Sequence, residues 1–195
     1  MIKITRYFVA ALALFLAVPS LAESPSYNFI QVGYQSVEID LGDGFDVDGD
    51  GFGFGGSFEI GEQMFGFASY GKTEFDFDID LTQLQVGLGF RAGISDNTDF
   101  FATASFVDAE VDAPGFESED DSGYGLGIGI RSNVTDLVEL YAEIAYADLG
   151  DDADSTAFGA GIWFNLGDSF ALGLGAATDD DVTSYGVSAR LYFGT

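Results

Sequence analysis

The sequence predicts an all-β fold, a transmembrane antiparallel up-and-down β-barrel of about ten strands, with eight as the alternative count. Three observations predict it. Apolar residues recur at every second position along nearly the whole chain, the connections between those runs alternate between short turns and longer acidic stretches, and the N-terminus reads as an export signal.

The export signal is read first because it decides what remains to fold. Lys3 and Arg6 precede an apolar run from Tyr7 to Val18, followed by Pro19, Ser20, Leu21 and Ala22. That run is too short to cross a bilayer as a helix, and Ser20 and Ala22 sit three and one residues before an expected cut at Glu23. Residues 1–22 are therefore expected to be a signal peptide and residues 23–195 a single barrel domain. The leader holds two of the six basic residues and none of the 33 acidic ones, so the barrel domain sets four basic residues against 33 acidic ones.

Composition excludes several classes of function. Phosphate binding needs clustered Lys and Arg, so nucleic acid is no partner. The chain has no Cys and no His, which removes disulfides, thiolate chemistry, His-ligated metals and the usual general base. An acidic chain can be disordered, but 47% of this one is hydrophobic and 15% aromatic, at regular spacing, so it should fold.

The alternation is plainest in Leu81–Ala92, where Thr82, Leu84, Val86, Leu88, Phe90 and Ala92 share one face and Leu81, Gln83, Gln85, Gly87, Gly89 and Arg91 the other. Similar apolar faces begin at Ile30, Phe52, Phe100, Tyr124, Val138, Phe158, Phe170 and Tyr185, and a less clear strand lies around Met64–Lys72. These make ten, an even count that lets the last strand pair antiparallel with the first.

A soluble sandwich also alternates, so the connections have to settle which solvent each face meets. Short turns at Gly61–Gln63, Gly93–Asn97, Ser132–Asp136 and Gly167–Ser169 alternate with acidic loops at Glu38–Asp50, Glu74–Asp80, Asp108–Asp121, Asp148–Asp154 and Asp179–Asp181. Those loops hold 24 of the 33 acids, so one end of the molecule is strongly negative, as an external rim would be. The second strand face is rich in Gly, Ser, Gln and Asn, with Phe101, Tyr141, Trp163 and Tyr192 as its large members, which is no filling for a soluble core. Phe65, Phe67, Phe90, Phe100, Phe164, Phe170 and Phe193 cluster near the short turns and are expected to form a lipid-facing aromatic girdle.

The final strand, Ser184-Tyr185-Gly186-Val187-Ser188-Ala189-Arg190-Leu191-Tyr192-Phe193, resembles the C-terminal assembly signal of small bacterial outer-membrane β-barrel proteins, a family that includes OmpA-type transmembrane domains and porin-like barrels. The family's aromatic is commonly the last residue, whereas Gly194 and Thr195 come after it here. The resemblance covers residues 23–195 as a pattern of hairpins and implies location in the cell outer membrane, with outer-membrane lipid, lipopolysaccharide and the barrel-assembly machinery as partners.

Three constellations could carry chemistry. Asp46-Val47-Asp48-Gly49-Asp50-Gly51 has the D-x-D-x-D-G spacing of a calcium loop, although Ser57 stands where a bidentate Glu would complete it and a strand comes next in place of a helix. Asp46, Asp48 and Asp50 are thus the candidate metal ligands and calcium the candidate cofactor, against diffuse screening of the rim by divalent cations. The glycine run Gly123–Gly129 lies in a strand with no helix behind it, so it gives room in the lumen and does not cradle phosphate. Arg91, Arg131 and Arg190 fall on the polar phase of three strands near the short-turn end, with Glu59, Asp99 and Glu139 at the same level and Glu143 somewhat higher. These seven are expected to form an ionic network, with bidentate pairing, that braces and partly plugs that end of the lumen.

The function expected from the sequence is non-enzymatic: a structural outer-membrane barrel or a narrow porin-like channel that favours cations because its mouth is acidic. The alternative is a surface interaction protein whose acidic external loops bind an extracellular partner.

Overall fold

The computed structural model describes residues 25–194 apart from 43, 45, 151 and 152, so the expected signal peptide and its cut at Glu23 lie outside the described residues. Ten antiparallel strands close into a single barrel in chain order, with β10 returning to β1. They are β1 (Phe29–Asp40), β2 (Asp46–Glu59), β3 (Met64–Phe75), β4 (Ile79–Ser95), β5 (Thr98–Asp112), β6 (Glu119–Thr135), β7 (Val138–Asp148), β8 (Asp154–Asn165), β9 (Phe170–Thr178) and β10 (Val182–Tyr192).

The register fixes the size of the barrel. From Gly33 the partners run through Gly53, Gly71, Gln83 and Ala109 to Asp121 in one direction. In the other they run through Ser188, Gly173, Trp163 and Glu139 to Asn133. One circuit thus climbs β6 by twelve residues, from Asn133 to Asp121. For ten strands that stagger implies a tilt of about 40° and a backbone radius of about 10 Å. Side chains from opposite walls can meet across such a lumen.

Alternation sorts the two faces. Along β6, Tyr124, Leu126, Ile128 and Ile130 face outward and stay about half exposed, while Gly125 and Gly127 between them are buried. Outward aromatics also mark the acidic end of the belt, at Tyr34, Phe52, Phe106, Tyr124, Phe158 and Tyr185. Carboxylates take over directly beyond them. Tyr124 donates to Asp148 Oδ2 at 3.2 Å, and Tyr34 hydrogen-bonds Asp50.

Two sequence expectations need correction. The acidic stretches are not long loops: β1 and β2 pair as far as Asp40 and Asp46, and β5 and β6 as far as Val111 and Glu119. Extended backbone continues there because its outward charges already stand beyond the apolar belt, where water solvates them. Phe65 and Phe67 also do not join the girdle, since both are buried inside the lumen, whereas Phe90, Phe100, Phe164 and Phe193 are exposed outward. Phe65-Gly66-Phe67 has no polar member to mark its phase, and the outward face at Gly66 is covered by the Phe58 ring.

Candidate functional site

The lumen is the one place where many functional side chains converge, and it is closed twice. At the short-turn end the closure starts with Tyr27 and Phe29, which continue the inward phase of β1 toward the N-terminus and are both buried. The segment ahead of β1 is pinned by Asn28, whose Oδ1 accepts from the Glu59 backbone N–H at 2.9 Å and whose Nδ2 donates to Glu59 Oε2 at 3.2 Å. The Pro25 carbonyl accepts from Arg91 Nη1 at 2.7 Å.

Two guanidinium groups lie against the Tyr27 ring, with Arg91 at 4.8 Å and Arg131 at 4.6 Å from its centroid. Burial pushes the phenol up to about 12, so the ring stays neutral between the two cations. Arg91 pairs with Glu59 at 3.2 Å and lies 3.7 Å from Asp99. Arg131 donates from Nε to Glu139 Oε1 at 3.0 Å, and its Nη2 lies 3.0 Å from the same oxygen as an ion-pair contact. Arg131 and Glu139 are almost fully buried. Arg190 has no carboxylate against it among the described residues; it donates to Gln31 Oε1 at 2.6 Å and lies between the Trp163 ring at 3.8 Å and the Phe29 ring at 4.0 Å.

Of the seven residues that the sequence places in an ionic network, the structure brings Arg91, Glu59 and Asp99 into one group and Arg131 and Glu139 into a second. Tyr27 bridges the two groups. Arg190 stands apart in its aromatic slot, and Glu143 Oε1 has no hydrogen-bond partner. Tyr27, Phe29, Gln31 and Trp163 belong to the site and were missed as functional residues. Extending the period-two phase of β1 backward by one step from Phe29 would have found Tyr27.

The inward glycines seat this closure. Phe65 and Phe67 lie across from Gly89 and Gly87, Phe101 from Gly129, Tyr141 from Gly161 and Trp163 from Gly173. A Cβ at Gly89 would stand 2.0 Å from the Phe65 ring, and one at Gly161 would stand 2.4 Å from Tyr141. Each ring therefore lies flat over the backbone of the next strand, where any side chain would lift it into the lumen.

A second closure lies toward the acidic end. Val37, Ile39, Phe75, Leu81, Val107, Ala109, Leu149 and Val182 pack there as one buried apolar cluster. These residues come from strands or from the turn beside them, so this seal is part of the wall.

The candidate calcium ligands Asp46, Asp48 and Asp50 lie in β2, at alternate positions of its outward face. They stand opposite Asp40, Glu38 and Ser36 of β1. Carboxylates two residues apart on a strand are separated by about 6.6 Å of backbone, which spreads them along the strand and does not wrap them round an ion. Among the described residues no group of three or more acids is placed to hold a metal ion.

Comparison with solved structures shows the same fold in other proteins, among them the next three. An outer-membrane channel from Pseudomonas putida F1 aligns with TM-score 0.59 and 10% identity, over 91% of this chain and all of that one. The translocator domain of the autotransporter NalP from Neisseria meningitidis aligns with TM-score 0.52 and 10% identity, over 85% of this chain and 88% of that one. KdgM porin in complex with disordered oligogalacturonate aligns with TM-score 0.51 and 10% identity, over 85% of this chain and 99% of that one. A search of curated proteins finds no match. The family model for the outer membrane protein beta-barrel domain matches residues 8–193, and the chain therefore belongs to that family of barrels in the outer membrane.

Proposed function

We propose that this is a non-enzymatic, structural barrel of the outer membrane whose lumen does not conduct in the closed state. The observation that carries the reading is the double closure, with rings and arginines across the short-turn end and the apolar cluster toward the acidic end. An acidic mouth would favour cations if a path existed, but a porin-like path requires both seals to part, and the apolar one cannot leave without distorting the wall. The carboxylates at the short-turn end of the lumen are not a free pair for acid–base hydrolysis, because Glu59 and Asp99 are grouped with Arg91 and Glu139 with Arg131. Outer-membrane lipid and lipopolysaccharide surround the apolar belt, and the barrel-assembly machinery inserts the chain. In proteoliposomes, small ions and sugars should cross no faster than in protein-free vesicles; rapid flux would overturn the reading.

A second reading, contact with an extracellular partner, is favoured by two exposed rings at the acidic end. Phe77 is 68% exposed at the β3–β4 connection with a left-handed φ of 69°, and Phe116 is 80% exposed at the β5–β6 connection. Exposed aromatic rings are enriched at protein–protein interfaces, so both are natural contact points for a partner. Loss of cell-surface adhesion in a Phe77→Ser, Phe116→Ser double variant that still folds would support this role, and unchanged adhesion would count against it.

A further inference from the structure

Between the two seals glycines recur on successive strands of the wall. Gly33, Gly53 and Gly71 are successive partners on β1, β2 and β3, and Gly161, Gly175 and Gly186 are successive partners on β8, β9 and β10. Among the described residues, one carboxylate points into this belt. Glu143 is 5% exposed, both its cross-strand neighbours are glycines (Gly129 and Gly159), and its Oε1 has no hydrogen-bond partner.

The charge at the short-turn end and mid-lumen is unbalanced in the same sense. Arg91, Arg131 and Arg190 stand against Glu59, Asp99, Glu139 and Glu143, and the three carboxylates other than Glu143 lie in the two arginine groups. The remaining guanidinium, Arg190, is enclosed by Phe29 and Trp163 and bonded to Gln31. An unpaired carboxylate inside a sealed lumen is costly unless it takes up a proton or gains a positive neighbour.

Other polar atoms of the mid-lumen also lack partners. Gln35 Nε2 donates to Thr73 and Gln85 Nε2 donates to Ser105, which leaves the Oε1 atoms of Gln35 and Gln85 without partners. Ser57 and Ser69 hydroxyls also lack partners and line a cavity of about 20 Å³, enough for one water. The unfilled capacity of the mid-lumen is therefore mainly that of oxygen acceptors, which suits a hydrated cation and repels an anion.

We propose that the glycine-belted mid-lumen is an occluded site for a monovalent alkali cation, with Glu143 as its anionic ligand and the free carbonyl oxygens of Gln35 and Gln85 accepting from its waters. The ion is enclosed when the barrel closes. The site presupposes the closed lumen, and the two fail differently, since conductance tests the seals and ion occupancy tests Glu143.

The test is to refold the barrel in rubidium chloride and measure anomalous diffraction from crystals of the wild type and of Glu143→Gln. The expected result is a lumen peak beside Glu143 that disappears in the variant. No peak in the wild type, or a peak that persists in Glu143→Gln, would overturn the proposal. A measurement on the wild type alone keeps the test independent of the variant's folding. Melting after refolding in rubidium chloride should lie several degrees above melting after refolding in choline chloride of equal ionic strength, and equal melting would also overturn it.

Discussion

Arg190 on β10 places its guanidinium 3.8 Å from the ring of Trp163 on β8, across the width of β9. The same guanidinium lies 4.0 Å from the ring of Phe29 at the start of β1, so one side chain fastens the seam where the first and last strands join. A desolvated cation–π contact contributes about 2 kcal/mol, and Trp163→Leu should destabilise the barrel by at least that much. Reversible urea unfolding in lipid vesicles measures it, and a change below about 0.5 kcal/mol, the size of an ordinary surface substitution, would mean the stacking carries no weight.

Arg131→Ala should be more damaging, because it leaves Glu139 buried with its cation gone. Breaking a buried pair costs about 3–5 kcal/mol, while replacing both partners by leucine should recover most of the loss. Conductance should stay at background in either variant, since the apolar cluster remains in place. Equal stability of the single variant and the wild type would show that water reaches the Arg131 site.

The ring seats make a separate expectation. Gly89→Ala forces a Cβ to within 2.0 Å of the Phe65 ring, so the ring must leave its place over β4. Overpacking of this kind costs about 1–3 kcal/mol. The folded fraction, read from heat-modifiable mobility on gels, should fall in Gly89→Ala and partly recover when Phe65→Ala is added. If the double variant is no better than the single one, the seat is not the cause.

Much of this was legible in sequence, and the parts that were not have physical reasons. Strands such as β4 and β6 announce their phase because Gln, Gly or Arg alternates with Leu, Val or Ile. β3 does not, since Phe65, Gly66 and Phe67 suit lipid and lumen equally and only pairing with β2 and β4 decides between them. Arg91, Arg131 and Arg190 could be assigned to the lumen because a charged residue within the apolar belt has a single tolerable face, and their nearness to the short turns gathered them at one end. Which partner each one takes was hidden, as it depends on the stagger around the barrel and on Tyr27, which lies ahead of the first recognisable strand. The D-x-D-x-D-G spacing misled in its local geometry because a strand can carry the same residues as a loop, but carries them spread apart.

That spread bears on calcium. With Asp46, Asp48 and Asp50 on one outward face of β2, calcium should act as a diffuse counterion, weakened by added salt. Asp46→Asn with Asp48→Asn should reduce the shift in melting temperature on calcium addition only in part. Complete loss of the response in that double variant would instead place a discrete ion on those two carboxylates.

The most direct test of the closed lumen is single-channel recording of the purified wild-type barrel in planar bilayers. If the arginine–aromatic seal and the apolar cluster both hold, the trace should stay at the bilayer baseline across the voltage range, before and after calcium is added. A reproducible unitary conductance from correctly folded, heat-modifiable protein would contradict the account, because it would require an ion path through two layers of side chains that are in contact.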